Sequence, residues 1–159
     1  MKKGMTGFLG TVVGAVAGVV VASNLNGKQI TQKSEKLDKF KGYYNLLNQW
    51  LFLKQAGKSL EEYFVKNGYK TVAIYGMGEM GNRLYDELKN SQEIEMSFAI
   101  DKNAASAYSE LEVLELEDDL PQVDVIVVTA TFAYEEIEKK LNERIDYPIV
   151  SLEDVVYEL

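Results

Sequence analysis

Residues 71–81 read TVAIYGMGEMG, and this stretch decides the fold. Thr71 to Tyr75 carry the β-branched and aromatic side chains of a buried strand, Gly76, Gly78 and Gly81 follow, and from Asn82 to Asn90 the spacing turns helical, with Leu84 and Leu88 on one face. Such a strand, glycine turn and helix have a specific use. One glycine lets the chain turn sharply, the second lets backbone approach a pyrophosphate, and the third lets the helix pack closely on the strand. The amino end of the helix then faces the turn and favours an anion.

The context supports that use. A second strand pattern, Glu95 to Ile100, ends at Asp101, which is 20 residues past Gly81. A dinucleotide-binding βαβ unit places there the carboxylate that holds ribose hydroxyls. The spacing therefore predicts an α/β, Rossmann-like domain over residues 69–159, a parallel sheet of about five strands with flanking helices. Val123 to Thr129, VDVIVVT, is a continuous apolar run suited to a strand buried on both faces. Leu111 to Leu116 alternates acidic with apolar residues, the pattern of a solvated edge strand rather than of a cation site. Phe132 to Ile145 is expected to be helical, with Phe132, Ile137, Leu141 and Ile145 facing inward. Pro148 to Val150 is a further strand, and Leu152 to Leu159 a closing helix.

The candidate cofactor-binding residues are Gly76, Met77, Gly78, Glu79, Met80 and Gly81 in the loop, Asp101 and Lys102 after the second strand, and Thr129 and Ala130 where the apolar run ends. Asp101 is expected to favour NAD over NADP by repelling a 2′-phosphate, an effect that Lys102 opposes. Glu79 lies in the first helical turn, where its charge suits the helix dipole but competes with an incoming phosphate.

Composition removes several chemistries. The 159 residues contain no cysteine and no histidine, which excludes disulfides, thiolate metal sites and Ser-His or Cys-His nucleophilic mechanisms. No metal site and no catalytic residue is expected. Tyr85 and Lys89 match a Tyr-x-x-x-Lys spacing formally, but they sit on the helix after the glycine loop and are not assigned a catalytic role.

The net charge of −8 is unevenly distributed. Residues 1–70 hold 11 lysines and 4 acids, net +7, whereas residues 71–159 hold 6 basic and 21 acidic residues, net −15. An acidic folded domain makes nucleic acid an unsuitable partner, and the basic front half suits an anionic surface.

Residues 1–26 contain an uncharged run from Met5 to Ala22, with Gly10, Gly14, Gly18 and Ala22 at every fourth position. This is the pattern of a glycine-zipper apolar helix, expected to act as a membrane anchor through residues 5–25 and to self-associate, the alternatives being a secretory signal with a Val-Ala-Ser site at 21–23 and a flexible glycine-rich tail. The lysines at positions 28–41 outnumber Lys2 and Lys3, which places the large domain on the cytoplasmic face.

Residues 27–68 form a helical connector. Leu37, Phe40, Tyr44, Leu47 and Leu51 make one apolar stripe, and Tyr43, Leu46, Trp50 and Leu53 a neighbouring one, expected to pack on the domain or on a second subunit. Ser59 and Glu62 form a capping box for a short helix.

The segments IYGMGEMG, FAID, VDVIVVTA and PIVSLED together resemble the small NAD(P)-binding Rossmann-like domains found with bacterial cell-surface polysaccharide and nucleotide-sugar enzymes. These include the accessory domain of membrane-bound sugar epimerase/dehydratases and the amino-terminal domain of sugar acetyltransferases. The likeness covers about residues 68–159 and implies a ligand of the NAD, NADP or nucleotide-sugar type. The second, catalytic domain of those enzymes is not matched, so a module that binds without turnover is expected. It would act as a homo-oligomer or with a partner enzyme. The alternatives are an enzyme subunit completed by a partner and a scaffold that binds no nucleotide.

Overall fold

The computed structural model describes residues 31–106 and 109–159. The chain divides into two compact units, Met1–Tyr43 and Tyr44–Leu159. Residues 31–55 are helical (α1), and the unit boundary falls within them. Of the first unit only 31–43 are described, and there Leu37 and Phe40 are exposed. The glycine-zipper segment, residues 1–26, lies outside the described residues. Among the described residues no helix is long and apolar enough to cross a membrane.

The second unit is an α/β domain. After α1 come α2 (Glu61–Asn67), β1 (Thr71–Tyr75), α3 (Glu79–Leu88), β2 (Glu95–Ile100), β3 (Val113–Leu114), β4 (Val125–Val128), α4 (Tyr134–Asn142), β5 (Ile149–Ser151) and α5 (Leu152–Tyr157). All strand pairings are parallel, in the order β3-β2-β1-β4-β5. The chain leaves β1 toward β2 and β3 on one side, then returns to place β4 and β5 on the other. The order reverses between β1 and β4, so the carboxyl ends of those two strands flank the switch point where doubly wound sheets take ligands.

The pleat sends alternate side chains to opposite faces. Ala73, Tyr75, Phe98, Ile100, Ile126 and Val128 build one core with Ile137 and Leu141 of α4. Ile74 faces α3, whose Leu84 and Leu88 are fully buried. Short β3 is the edge strand expected from its alternating acids. No α-helix forms between β3 and β4, and Leu116 and Leu120 of that connection pack on the core instead.

Two apolar expectations need correction. Phe132 is 52% exposed, because Thr131–Ala133 forms a 3-10 turn that starts α4 two residues later than expected and turns the ring outward. On α1, Leu46, Trp50 and Leu53 are buried, whereas Tyr44 and Leu51 of the first stripe are exposed. Only one of the two stripes therefore packs within the unit.

The seam between α1, α2 and α3 centres on Glu87, whose side chain is 8% exposed. Its carboxylate accepts hydrogen bonds from Trp50 Nε1 (2.6 Å), Lys54 Nζ (3.0 Å), the Leu60 N–H (2.9 Å) and Ser59 Oγ (3.2 Å). Burial alone would raise the Glu87 pKa, but the Leu60 N–H, Lys54 and Trp50 outweigh it and hold the carboxyl below its ordinary value. Half of the expected capping box forms: the Ser59 N–H donates to Glu62 Oε1 at 3.1 Å, but Ser59 Oγ accepts from the Glu61 N–H at 3.3 Å instead of from Glu62, and Leu60 is the N-cap of α2.

Candidate functional site

The loop between β1 and α3 is shaped by different constraints at each glycine. Gly76 has φ +97°, a conformation that an L side chain rarely adopts, and a Cβ there would lie 2.8 Å from Thr129 Oγ1. At Gly81 a Cβ would overlap the Gly76 carbonyl oxygen and approach Ile74 Cγ2 at 3.4 Å, so this glycine sets the close approach of α3 to β1. Gly78 is different. Its φ of −75° suits any residue, and a Cβ there would meet nothing within 4 Å.

The loop is braced from three sides. The Gly76 N–H donates to the Ile100 carbonyl at 2.8 Å, and the Met77 N–H to Asp101 Oδ2 at 2.8 Å. Thr129 Oγ1 donates to the Gly76 carbonyl at 2.7 Å, and Asn82 Nδ2 reaches back to the carbonyls of Met77 and Gly78 at 3.1 and 3.0 Å. Gly78 is the N-cap of α3 and supplies no side-chain cap, leaving the first-turn N–H groups of Glu79, Met80 and Gly81 at an uncapped positive helix end. Glu79 is exposed beside it.

The structure thus brings Gly76 to Gly81, Asp101, Thr129 and Ala130 to one place at the carboxyl ends of β1, β2 and β4. Their tasks differ. Thr129 is buried with its hydroxyl committed to the loop carbonyls, and Met77 and Met80 are buried as side chains. Asp101 uses both carboxylate oxygens on backbone, Oδ2 for Met77 and Oδ1 for the Asn103 N–H at 2.9 Å. Lys102 lines a cleft of about 300 Å³ with Tyr75, Ile100, Glu115, Leu116, Glu117 and Lys140. Sequence reasoning passed over Tyr75 and Asn82. The available signals were a hydroxyl-bearing ring at the last strand position before the loop and an amide in the first helical turn.

A wider groove of about 590 Å³ lies at the opposite, amino end of β1 and β2, where Tyr85 and Lys89 are found. Tyr85 Oη donates to Glu110 at 3.0 Å, and Lys89 bridges Asp86 at 2.8 Å. Desolvation and the Glu110 carboxylate push the Tyr85 pKa up, the wrong direction for a phenolate base, and the pair is remote from the glycine loop.

The strand order, the positive-φ glycine closing β1 and the helix packed against it define a Rossmann-like α/β domain. Residues 68–150, just over half of the chain, match the C2185-like, N-terminal family, and the chain belongs to that family. No curated protein and no solved structure matches it.

Proposed function

We propose that this chain is a non-catalytic nucleotide-binding module that holds NAD(H) or a nucleotide-sugar on the Gly76–Gly81 loop. It is membrane-associated through residues 5–25, on the cytoplasmic face, and serves cell-surface polysaccharide or nucleotide-sugar metabolism.

The observation that carries the nucleotide reading is Gly78. Gly76 and Gly81 are glycines because the fold has no room for anything else, but neither backbone angle nor neighbouring atoms demand one at Gly78. The space that its missing side chain leaves open adjoins the uncapped amino end of α3, where a diphosphate would meet N–H donors and a favourable dipole. The negative charge of Asp101 disfavours a ribose 2′-phosphate there and so favours NAD over NADP.

The test is titration of the full-length protein with NAD(H), NADP(H) and UDP-glucose, following the melting temperature and the fluorescence of Trp50, the one tryptophan of the chain. A ligand at a hundred times its Kd stabilises the fold by about 2.7 kcal/mol and raises the melting temperature accordingly. No shift with any of the three at millimolar concentration overturns the reading.

A further inference from the structure

The cleft beside the glycine loop contains a polar group that the fold does not use. Tyr75 is 5% exposed, and its hydroxyl makes no hydrogen bond with the described residues. Among those residues no side-chain nitrogen or oxygen is both fully occluded and unpaired, so the open part of Tyr75 includes its hydroxyl, at the cleft that the residue lines. Burial is the largest effect on this phenol and pushes its pKa up, which keeps the proton in place for donation.

Around that hydroxyl the lining is mixed, with charged, polar and apolar side chains. Lys102, Lys140, Glu115 and Glu117 share the lining with Leu116, an apolar wall, and with Ile100, whose side chain is almost wholly buried in the core. Lys140 is paired with Glu136 at 2.6 Å, whereas Lys102, Glu115 and Glu117 form no ion pair with the described residues. With Lys140 held by Glu136, Lys102 is left against Glu115 and Glu117, a balance that does not favour an anionic guest. Carboxylate acceptors, an ammonium donor and a phenol that both donates and accepts suit a neutral ring bearing several hydroxyls, whose C–H face can lie on Leu116. Asp101, the residue expected to read such hydroxyls, has committed both its oxygens to loop N–H groups.

We propose that this cleft is a subsite for a polyhydroxylated ring, a sugar carried by the bound nucleotide, with the Tyr75 hydroxyl as its buried contact. The inference rests on the nucleotide reading above, because Tyr75 and Ile100 close β1 and β2 just before Gly76 and Asp101, so that the cleft opens on the α4 face at the same carboxyl edge of the sheet as the diphosphate loop. The ring is either the ribose or a hexose joined to the diphosphate.

The experiment is calorimetric titration of full-length wild type, Tyr75→Phe and Gly78→Val with UDP, 2′-deoxy-UDP, UDP-glucose and NAD. Tyr75→Phe removes a hydroxyl without a protein partner, so its melting temperature should equal that of wild type. A hexose in the cleft makes UDP-glucose bind tighter than UDP, and Tyr75→Phe erases about tenfold of that difference, the worth of one hydrogen bond at a buried site. A ribose there makes UDP or NAD lose about tenfold in Tyr75→Phe while 2′-deoxy-UDP, already weaker, changes little. Equal weakening of UDP and 2′-deoxy-UDP by Tyr75→Phe, with no separate effect on the hexose, overturns the inference, because the phenol then contacts neither a hexose nor the ribose 2′-hydroxyl. Binding that Gly78→Val abolishes but Tyr75→Phe leaves untouched overturns the inference alone. Absence of binding by all four overturns it together with the nucleotide reading.

Discussion

The backbone N–H of Met77 donates to Oδ2 of Asp101 across 2.8 Å, so the acid that ends β2 braces the loop that ends β1. Its other oxygen receives the Asn103 N–H, and Asp101 thereby ties two neighbouring turns together. Asp101→Ala should lower stability by about 1–3 kcal/mol through the loss of charge-assisted bonds and the unpaired Met77 N–H, measured by urea unfolding. An unchanged midpoint would mean that the loop holds its shape without this brace.

The glycines make a sharper contrast. Gly81→Ala forces a methyl into the Gly76 carbonyl and should cost at least about 2 kcal/mol, since α3 must move off β1. Gly78→Ala should stay within about 0.5 kcal/mol of wild type, having open space and an ordinary φ. Thermal unfolding of the two variants checks both, and a destabilised Gly78→Ala would remove the argument that the fold leaves this position free.

Glu87 predicts a pH dependence. Its folded-state pKa is depressed, so the stability it contributes is present above the unfolded value of about 4.3 and is lost as pH falls through the folded value. Wild-type stability should therefore drop below about pH 4–5, and Glu87→Gln should flatten that drop. At neutral pH, Glu87→Leu should cost roughly 3 kcal/mol, because it leaves Trp50 Nε1, the Leu60 N–H and the Lys54 ammonium without their acceptor. Equal acid profiles for wild type and Glu87→Gln would show that other carboxyls carry the effect.

How much of this was legible in sequence depended on where the constraint resides. The glycine loop could be read because turn geometry and strand–helix packing act on the chain locally, through Gly76 and Gly81, whereas spacing placed Asp101 after β2 without revealing that its carboxylate braces the Met77 and Asn103 N–H groups. The two stripes of α1 could be read as helical but not ranked. Trp50 is buried with its indole N–H on Glu87, distant in sequence, while Tyr44 of the other stripe is exposed. Phe132 was misplaced because one 3-10 turn rotates it off the helical face that its spacing predicted. Thr129 was grouped with the binding residues by its position at a strand end. Only the fold reveals that its hydroxyl is committed to the Gly76 carbonyl.

The membrane expectation has its own test. Full-length protein should pellet with membranes and resist salt extraction, and protein lacking residues 1–26 should stay in the supernatant. Full-length protein found freely soluble would contradict the anchor.

The central claim is that the loop is open at Gly78 for a ligand's diphosphate. Calorimetric titration of wild type and Gly78→Val with NAD and UDP-glucose tests it most directly, provided both proteins unfold at the same temperature. The account predicts saturable binding of at least one ligand to wild type and none to Gly78→Val, whose side chain fills the space where backbone meets phosphate. Equal affinity in the two proteins would contradict it.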